Sequence, residues 1–243
     1  ATRPGRARVL AQWVDHLLCI HPFEQPFYVK WNLPTTVIGN PALHRLPKGD
    51  SAAFRTRHGI PQDAPVVGLL PGSRKAEMRR VAPPWMEATR VIRERDPHRH
   101  VVCMVAPSVT HEVEALAAAQ NFPIVLVKDE AEKADAYAAM TVAIACSGTV
   151  TTELAAQGAA VVTGYKLGWI TWALLRFFLF KSRFSALVNV AANREVIPEF
   201  LQTSFNARNI ERAVEDRLTN PSVLKRQQDG QREALRIMAG TGR

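Results

Sequence analysis

Short apolar segments of strand length alternate along this chain with longer segments of helical periodicity, and this alternation is what most limits the fold. The apolar segments are residues 17–20, 35–38, 65–70, 100–105, 123–127, 142–146 and 160–163. Helical spacing occupies most of the intervals between them, at residues 75–95, 108–119, 131–140 and 150–157. Strand and helix in repeated succession produce a parallel sheet that is covered on both faces. We therefore predict an α/β fold, a Rossmann-like doubly wound parallel sheet.

The strand pattern stops after residue 164, and helical segments are predicted at 167–180, 207–219 and 222–238. Ile210, Val214 and Leu218 form a stripe at i, i+4 and i+8, so the segment 207–219 has one face to bury. We expect these C-terminal helices to pack on the sheet or on a part of the protein outside this chain.

The charge balance indicates an anionic partner. The chain has 31 Lys and Arg against 22 Asp and Glu, a net charge of +9. Nucleic acid, an acidic membrane surface and a phosphorylated small molecule all fit that charge. Cys19, Cys103 and Cys146 lie in apolar runs without CxxC spacing, which argues against disulfides and structural zinc and favours a reducing compartment.

The sequence predicts neither a secretory signal nor a membrane-spanning segment. The first residues carry arginines but no apolar stretch before a cleavage site, so no secretory signal is predicted. The longest uncharged stretch, residues 136–152, reads as a helix end, a buried strand and a loop rather than a membrane span. The chain starts without Met, which is consistent with a fragment.

The loop at residues 69–75, Leu-Leu-Pro-Gly-Ser-Arg-Lys, follows a predicted strand and opens a predicted helix. In a doubly wound sheet, ligands bind beyond the carboxyl ends of strands, where helix N-termini attract anions. Gly72 allows close backbone approach, Ser73 offers a hydroxyl and Arg74 a guanidinium, which suits a diphosphate. The alternative is an ordinary strand-to-helix turn with Ser73 as helix cap and Arg74 in solvent. Neither GxGxxG nor GxxxxGK[ST] is present.

A second polar loop, residues 147–153, also follows a predicted strand. Ser147, Gly148 and Thr149 can meet phosphate or sugar oxygens, and Glu153, one turn into the helix, can accept hydrogen bonds from a ribose diol. The residue three before Glu153 is Val150, which cannot complete a capping box. Stabilisation of the helix dipole by Glu153 remains the structural alternative.

Six short motifs occur in a fixed order along nearly the whole chain. They are His21-Pro22-Phe23-Glu24, Gly39-Asn40-Pro41, residues 69–75, residues 147–153, Gly164-Tyr165-Lys166 and residues 194–200. In this order and spacing they resemble the lipid-A-disaccharide synthase family. The resemblance implies the C-terminal domain of a GT-B glycosyltransferase, with the acceptor-binding N-terminal domain missing. It implies three parts: a crossing segment at 1–40, a UDP-sugar-binding Rossmann-like domain at 41–205 and C-terminal helices at 206–243.

The family resemblance also implies a reaction. Members transfer 2,3-diacylglucosamine from UDP to 2,3-diacylglucosamine 1-phosphate, which forms the β-1′,6-linked lipid A disaccharide. By position, Ser73 and Arg74 should contact the UDP diphosphate, and Glu153 should bind the ribose hydroxyls. Asn189, Arg194 and Glu195 should lie near the cleft. Val188 and Asn193 depart from the family's usual Pro and Gly, which puts the shape of that last segment in doubt.

The expected mechanism inverts the configuration at the anomeric carbon. Arg74 and helix N-termini would stabilise the departing diphosphate. The catalytic base is expected in the missing domain, so none is assigned here. The sequence has no DxD, and His98 and His100 fit a solvated strand start better than a ligand pair, so neither metal nor cofactor is predicted.

The apolar segment 169–181, interspersed with basic residues, is predicted either to lie in the headgroup region of an anionic membrane or to be a buried helix. The resulting expectation is a cytoplasmic protein on the inner face of the inner membrane of a Gram-negative cell, with a homo-oligomer left open. Two other functions remain: a UDP-sugar 2-epimerase-type isomerase, which needs carboxylates and a histidine that the sequence does not place, and a nonenzymatic basic module for membrane or RNA. RNA is the poorer partner, since no basic strands carry interleaved aromatics.

Overall fold

The computed structural model describes residues 4–40, 43, 46–146, 148–166 and 184–240. Its main feature is a six-stranded, all-parallel sheet built from β3 (Val66–Leu70), β4 (His100–Met104), β5 (Val125–Val127), β6 (Val142–Ala145), β7 (Ala160–Tyr165) and β8 (Glu199–Leu201). The spatial order is β5-β4-β3-β6-β7-β8. That is the 3-2-1-4-5-6 order of the doubly wound Rossmann fold, so the predicted fold class is confirmed.

A second, two-stranded parallel sheet lies near the N-terminus. It pairs β1 (Leu17–Cys19) with β2 (Thr35–Val37), and α1 (Pro4–Leu10) and α2 (Gln25–Val29) accompany it. The sequence pattern predicted both strands but could not assign them to a separate sheet. We refer to residues 4–40 as the N-terminal unit.

The remaining helices cover both faces of the six-stranded sheet. They are α3 (Ser51–Arg57), α4 (Lys75–Arg95), α5 (Thr110–Ala118), α6 (Lys133–Ala139), α7 (Thr149–Ala156), α8 (Leu187–Ala192), α9 (Ala207–Thr219) and α10 (Pro221–Ala239). Helices α4, α5 and α9 contribute to the core on one face. Helices α3, α6, α7, α8 and α10 contribute to the core on the other.

Strand β3 is apolar throughout because its side chains point alternately into the two cores. In β3, Val67 and Leu69 pack in the core with α4, whereas Val66 and Leu70 pack in the core with α6. All five residues of this strand are buried. A strand with two buried faces has no polar positions to alternate with apolar ones, which explains the uninterrupted runs in the sequence.

The C-terminal helices follow the sequence prediction closely. Asn206 caps α9 by accepting a hydrogen bond from the backbone N–H of Asn209 at 2.9 Å. Asn220 ends α9 and caps α10, and Pro221 occupies the first position of α10, where its missing N–H has no consequence. Ile210 and Val214 are buried against the sheet, so the predicted apolar stripe is confirmed.

The expectation that the strands end near residue 164 is wrong. Residues 199–201 form β8, which pairs with β7 at the edge of the sheet. This strand has only three residues and begins with a charged side chain, so it lacks the apolar run that identifies the others. The short helices α3 and α8 were also not predicted. The predicted helix at 167–180 lies outside the described residues.

Candidate functional site

The centre of the sheet holds a cavity of about 550 Å³ beyond the carboxyl ends of its strands. Strands β3 and β6 are neighbours there, and the helices that follow them, α4 and α7, contribute to the cores on opposite faces. This reversal creates the crevice in which doubly wound proteins bind ligands. The cavity wall combines the two predicted loops with residues 104–107 after β4 and 127–130 after β5.

The first loop adopts a conformation suited to anion binding. Gly72 has φ of +85°, in the left-handed region that favours glycine. Arg74 is the extended N-cap residue of α4, a helix of 21 residues whose N-terminus adjoins the cavity. Because the first N–H groups of a helix lack partners within it, this end carries partial positive charge. Gly72, Ser73 and Arg74, the three predicted site residues of this loop, all line the cavity.

Arg74 is held by a residue that the sequence analysis did not single out. Its Nη1 donates to Glu77 Oε1 at 2.6 Å, and the hydroxyl of Tyr165 donates to the same oxygen at 3.0 Å. The Glu77 hydrogen bond and charge raise the pKa of Arg74. Burial, together with the hydrogen bond to Glu77, raises the pKa of Tyr165, which keeps its hydroxyl protonated as a donor.

The second loop places α7 on the other side of the crevice. Gly148, with φ of +149°, is the N-cap residue of α7, and Thr149 begins the helix. Both line the cavity. The hydroxyl of Thr151 donates to the carbonyl of Gly148 at 2.7 Å, which fixes the start of the helix. Ser147, the other predicted residue of this loop, lies outside the described residues.

Glu153, in α7, is not among the residues that line the cavity, but it pairs with Lys133, which is. The Nζ of Lys133 lies 3.1 Å from Glu153 Oε2 and 3.0 Å from Glu130 Oε1. Burial lowers the pKa of Lys133, but its hydrogen bonds to the two carboxylates outweigh that effect and raise the pKa overall. Lys133 lies 20 residues before Glu153 in the chain, so no local pattern in the sequence predicts this pair.

The charged side chains of the cavity wall balance one another. Three are basic and three are acidic: Arg74, Lys128 and Lys133 against Glu77, Asp129 and Glu130. The side chains therefore contribute no net charge, and the partial positive charges at the cavity come from the two helix N-termini. The net charge of the whole chain does not predict this arrangement.

Asn189 is buried and fully hydrogen-bonded inside the protein. Its Nδ2 donates to the Ile197 carbonyl at 2.8 Å and to Glu199 Oε1 at 2.7 Å. Its Oδ1 accepts from the backbone N–H groups of Val196 at 2.7 Å and Ile197 at 2.9 Å. An amide has two donors and two acceptor sites, so any contribution of Asn189 to ligand binding passes through the segment that it holds.

Arg194 and Glu195 line a different, smaller pocket, of about 240 Å³, with α9 and α10. They precede β8, which runs parallel to β7, so they enter the sheet at the edge opposite to the carboxyl ends. Arg194 forms an ion pair with Glu233 at 2.6 Å. The structure does not bring these two residues into the cavity that Gly72 and Gly148 line.

The structure also shows where the cysteines lie and whether the described residues could form a metal site or a membrane span. The three cysteines are free and buried, and burial raises the pKa of Cys146, which lines the cavity, to about 12. Within the described ranges no cluster of His, Cys, Asp and Glu has a geometry that could hold a metal ion. In the same part of the chain no helix has both the length and the apolar character needed to cross a bilayer.

The strand order and the switch-point cavity define a Rossmann-like α/β domain of the kind found in GT-B glycosyltransferases. The family described as lipid-A-disaccharide synthetase matches residues 1–239. A lipid-A-disaccharide synthase from Rhodospirillum centenum is 37% identical over 237 residues, 97% of this chain and 59% of that protein. One from Anaeromyxobacter dehalogenans is 34% identical over 230 residues, 92% of this chain and 59% of that protein. The chain belongs to the lipid-A-disaccharide synthetase family, and it spans about three fifths of the length of these relatives.

Solved structures agree with this at the level of fold. A UDP-N-acetylglucosamine 2-epimerase homologue from Listeria monocytogenes superposes with a TM-score of 0.67 at 14% identity, covering 97% of this chain and 57% of that one. The C-terminal domain of a group 1 glycosyl transferase from Francisella tularensis superposes with a TM-score of 0.55 at 12% identity. It covers 80% of this chain and 95% of that domain, so this chain has the fold of that C-terminal domain.

Proposed function

We propose that this chain is the donor-binding part of a lipid-A-disaccharide synthase. In the proposed reaction, 2,3-diacylglucosamine passes from UDP to 2,3-diacylglucosamine 1-phosphate, giving the β-1′,6 disaccharide of lipid A and UDP. The observation that carries the proposal is the pair of glycine loops at the switch point. Each precedes a helix N-terminus, one presents Arg74 and the other leads to Glu153. A diphosphate between two such helix ends and a ribose beside Glu153 match the chemistry of a UDP-sugar.

In this proposal the chain acts on the leaving group. As the bond between the anomeric carbon and the diphosphate breaks, negative charge grows on the phosphate oxygens. The Arg74 guanidinium and the N–H groups of α4 are in place before the reaction, so they stabilise that charge without reorganisation. The base that deprotonates the acceptor hydroxyl is assigned to the part of the relatives that this chain does not span.

The exposed side chains of the N-terminal unit are evidence for a partner domain. Of the large apolar side chains that are exposed in the described structure, all but Ile237 belong to it: Val9, Trp13, Leu18, Ile20, Val29, Trp31 and Ile38. Trp13 is 80% exposed. A concentration of exposed large apolar side chains in one part of a folded protein is typical of an interface. We propose that the acceptor-binding domain covers these side chains.

The substrates and the charge of the chain also bear on where in the cell the enzyme acts. Acylated substrates reside in a membrane, and a chain of net charge +9 is attracted to an anionic bilayer surface. We propose a cytoplasmic enzyme that contacts the inner membrane peripherally. The segment 169–181, predicted from the sequence either to make this contact or to be a buried helix, lies outside the described residues.

The test is transfer activity in a fusion protein. The region of the Rhodospirillum centenum relative that precedes the matched segment would be joined to this chain, and disaccharide formation from labelled acceptor would be followed by chromatography. We expect activity in the fusion, none in the chain alone, and a loss of at least a hundredfold in the fusion with Arg74→Ala. A well-folded fusion that epimerises UDP-sugars instead would contradict the proposal and support the isomerase alternative.

A further inference from the structure

Arg74 is the most exposed of the charged groups in the proposed donor site. Its side chain is 77% exposed, so without a restraint the guanidinium would sample many rotamers. Among the described residues its ion-pair partner is Glu77, one turn further along α4. The Glu77 side chain is 17% exposed, which makes it the more fixed member of the pair.

Tyr165 fixes Glu77 in turn. It is the last residue of β7, two strands away from β3, and its hydroxyl donates to Glu77 Oε1. The other carboxylate oxygen, Oε2, lies 3.5 Å from the position that a Cβ on Gly72 would take. Glu77 therefore lies against the glycine loop, and it connects that loop to the end of a different strand.

A carboxylate at this position needs an explanation, because it repels a diphosphate. One effect compensates: an arginine that is already oriented loses less conformational freedom when a ligand binds. One guanidinium N–H contacts Glu77, so the other donors remain for phosphate oxygens. The two effects have opposite signs, and they predict opposite results when Glu77 is removed.

We propose that Glu77, anchored by Tyr165, is the positioning residue that holds Arg74 for the donor diphosphate. This inference rests on the proposed UDP-sugar site. It assigns to Glu77 a role in diphosphate binding alone, because Arg74 is the group that it orients. Binding of the nucleoside part of the donor is independent of Glu77.

The test compares UDP with uridine by isothermal titration calorimetry on the 243-residue chain. Glu77→Ala removes the restraint, and we expect UDP to bind three- to tenfold more weakly while uridine affinity stays unchanged. Glu77→Gln keeps an oxygen that can accept from both Arg74 and Tyr165, so it should retain most of the UDP affinity. Tyr165→Phe should weaken UDP binding in the wild-type background and have no further effect beside Glu77→Ala.

Glu87→Ala is the matched control. Glu87 lies on the same helix and forms an ion pair with Arg90 at 2.8 Å, away from the cavity. Removing it makes the same charge change, so UDP affinity should not move. Thermal unfolding of each variant checks the fold, and if Glu77→Ala fails to fold, Glu77→Gln and Tyr165→Phe still carry the comparison.

Three outcomes would overturn the inference. Equal or tighter UDP binding in Glu77→Ala would mean that repulsion dominates. A parallel loss of uridine and UDP binding would mean that Glu77 supports the fold of the site generally. If Arg74→Ala left UDP affinity unchanged, or if the wild-type chain did not bind UDP, the proposed donor site itself would be contradicted, and this inference with it.

Discussion

At the scale of single residues, the proposed site consists of charged side chains that are already paired inside the protein. Lys133 is the clearest case, since Glu153 Oε2 is shielded from solvent and lies 3.1 Å from Lys133 Nζ. Lys133→Met would leave a shielded carboxylate without its cation. We expect uridine and UDP affinities to fall together, by about tenfold or more, because Glu153 is assigned to the ribose that both ligands share.

Lys133→Arg is the matched control for that prediction, because it retains the cation and should keep most of the affinity. Calorimetric titration with both ligands provides the measurement. Tighter uridine binding to a folded Lys133→Met protein would contradict the prediction, since it would mean that Lys133 competes with the ribose for Glu153.

Asn189 is expected to contribute to stability rather than to direct ligand contact. Asn189→Ala removes four hydrogen bonds from a fully buried site, and it leaves the N–H groups of Val196 and Ile197 without their acceptor. We expect the free energy of unfolding to fall by about 1–3 kcal/mol. Urea denaturation measures that change, and UDP titration of the folded variant should give the wild-type affinity. Loss of UDP binding at unchanged stability would restore the direct contact predicted from the sequence.

The sequence could predict the loops but not their partners. Gly72, Ser73, Arg74 and Gly148 are recognisable because they follow strands, and the carboxyl ends of neighbouring parallel strands meet at one edge. Glu77 lies three residues from Arg74, so helix periodicity could have identified that pair. Tyr165 and Lys133 reach the site from distant segments, and local patterns contain no information about those contacts.

At the scale of elements, Phe205, just before α9, lies so close to β7 that it limits the size of the side chain at position 164. A Cβ on Gly164 would lie 2.3 Å from Cδ2 of Phe205, a ring that is almost fully buried. Gly164→Ala therefore forces the ring or the strand to move, and we expect the free energy of unfolding to fall by about 1–3 kcal/mol. Urea denaturation measures the change.

The double variant Gly164→Ala with Phe205→Leu provides the control, because the smaller side chain makes room for the new methyl group. Part of the lost stability should return relative to the sum of the single changes. A Gly164→Ala protein as stable as the wild type would show that this contact is not limiting.

Strands with two buried faces were predictable from the sequence, and the edge strand β8 was not. Strands β3, β4, β6 and β7 appear in the sequence as continuous apolar runs because both faces meet a core. Strand β8 lies at the sheet edge, and all three of its residues are half-buried, so its sequence shows no such run. The separation of β1 and β2 into their own sheet depends on tertiary packing, which strand propensity does not encode.

At the scale of the whole molecule, net charge and ligand attraction have different origins. The surplus of nine positive charges suggested an anionic partner, but the charged side chains around the cavity sum to zero. The proposed attraction for a diphosphate lies in the helix ends that the doubly wound topology directs toward one crevice. The basic surplus lies elsewhere, where the proposal assigns it to an anionic membrane surface.

The central claim is that this chain binds the UDP part of a nucleotide-sugar between α4 and α7. Calorimetric titration of UDP into the wild-type chain, with Arg74→Ala and Glu153→Ala beside it and circular dichroism to check folding, tests it most directly. The account predicts saturable binding by the wild type and at least tenfold weaker binding by each folded variant. Binding that is unchanged in both variants, or a well-folded wild type that does not bind UDP, would contradict it.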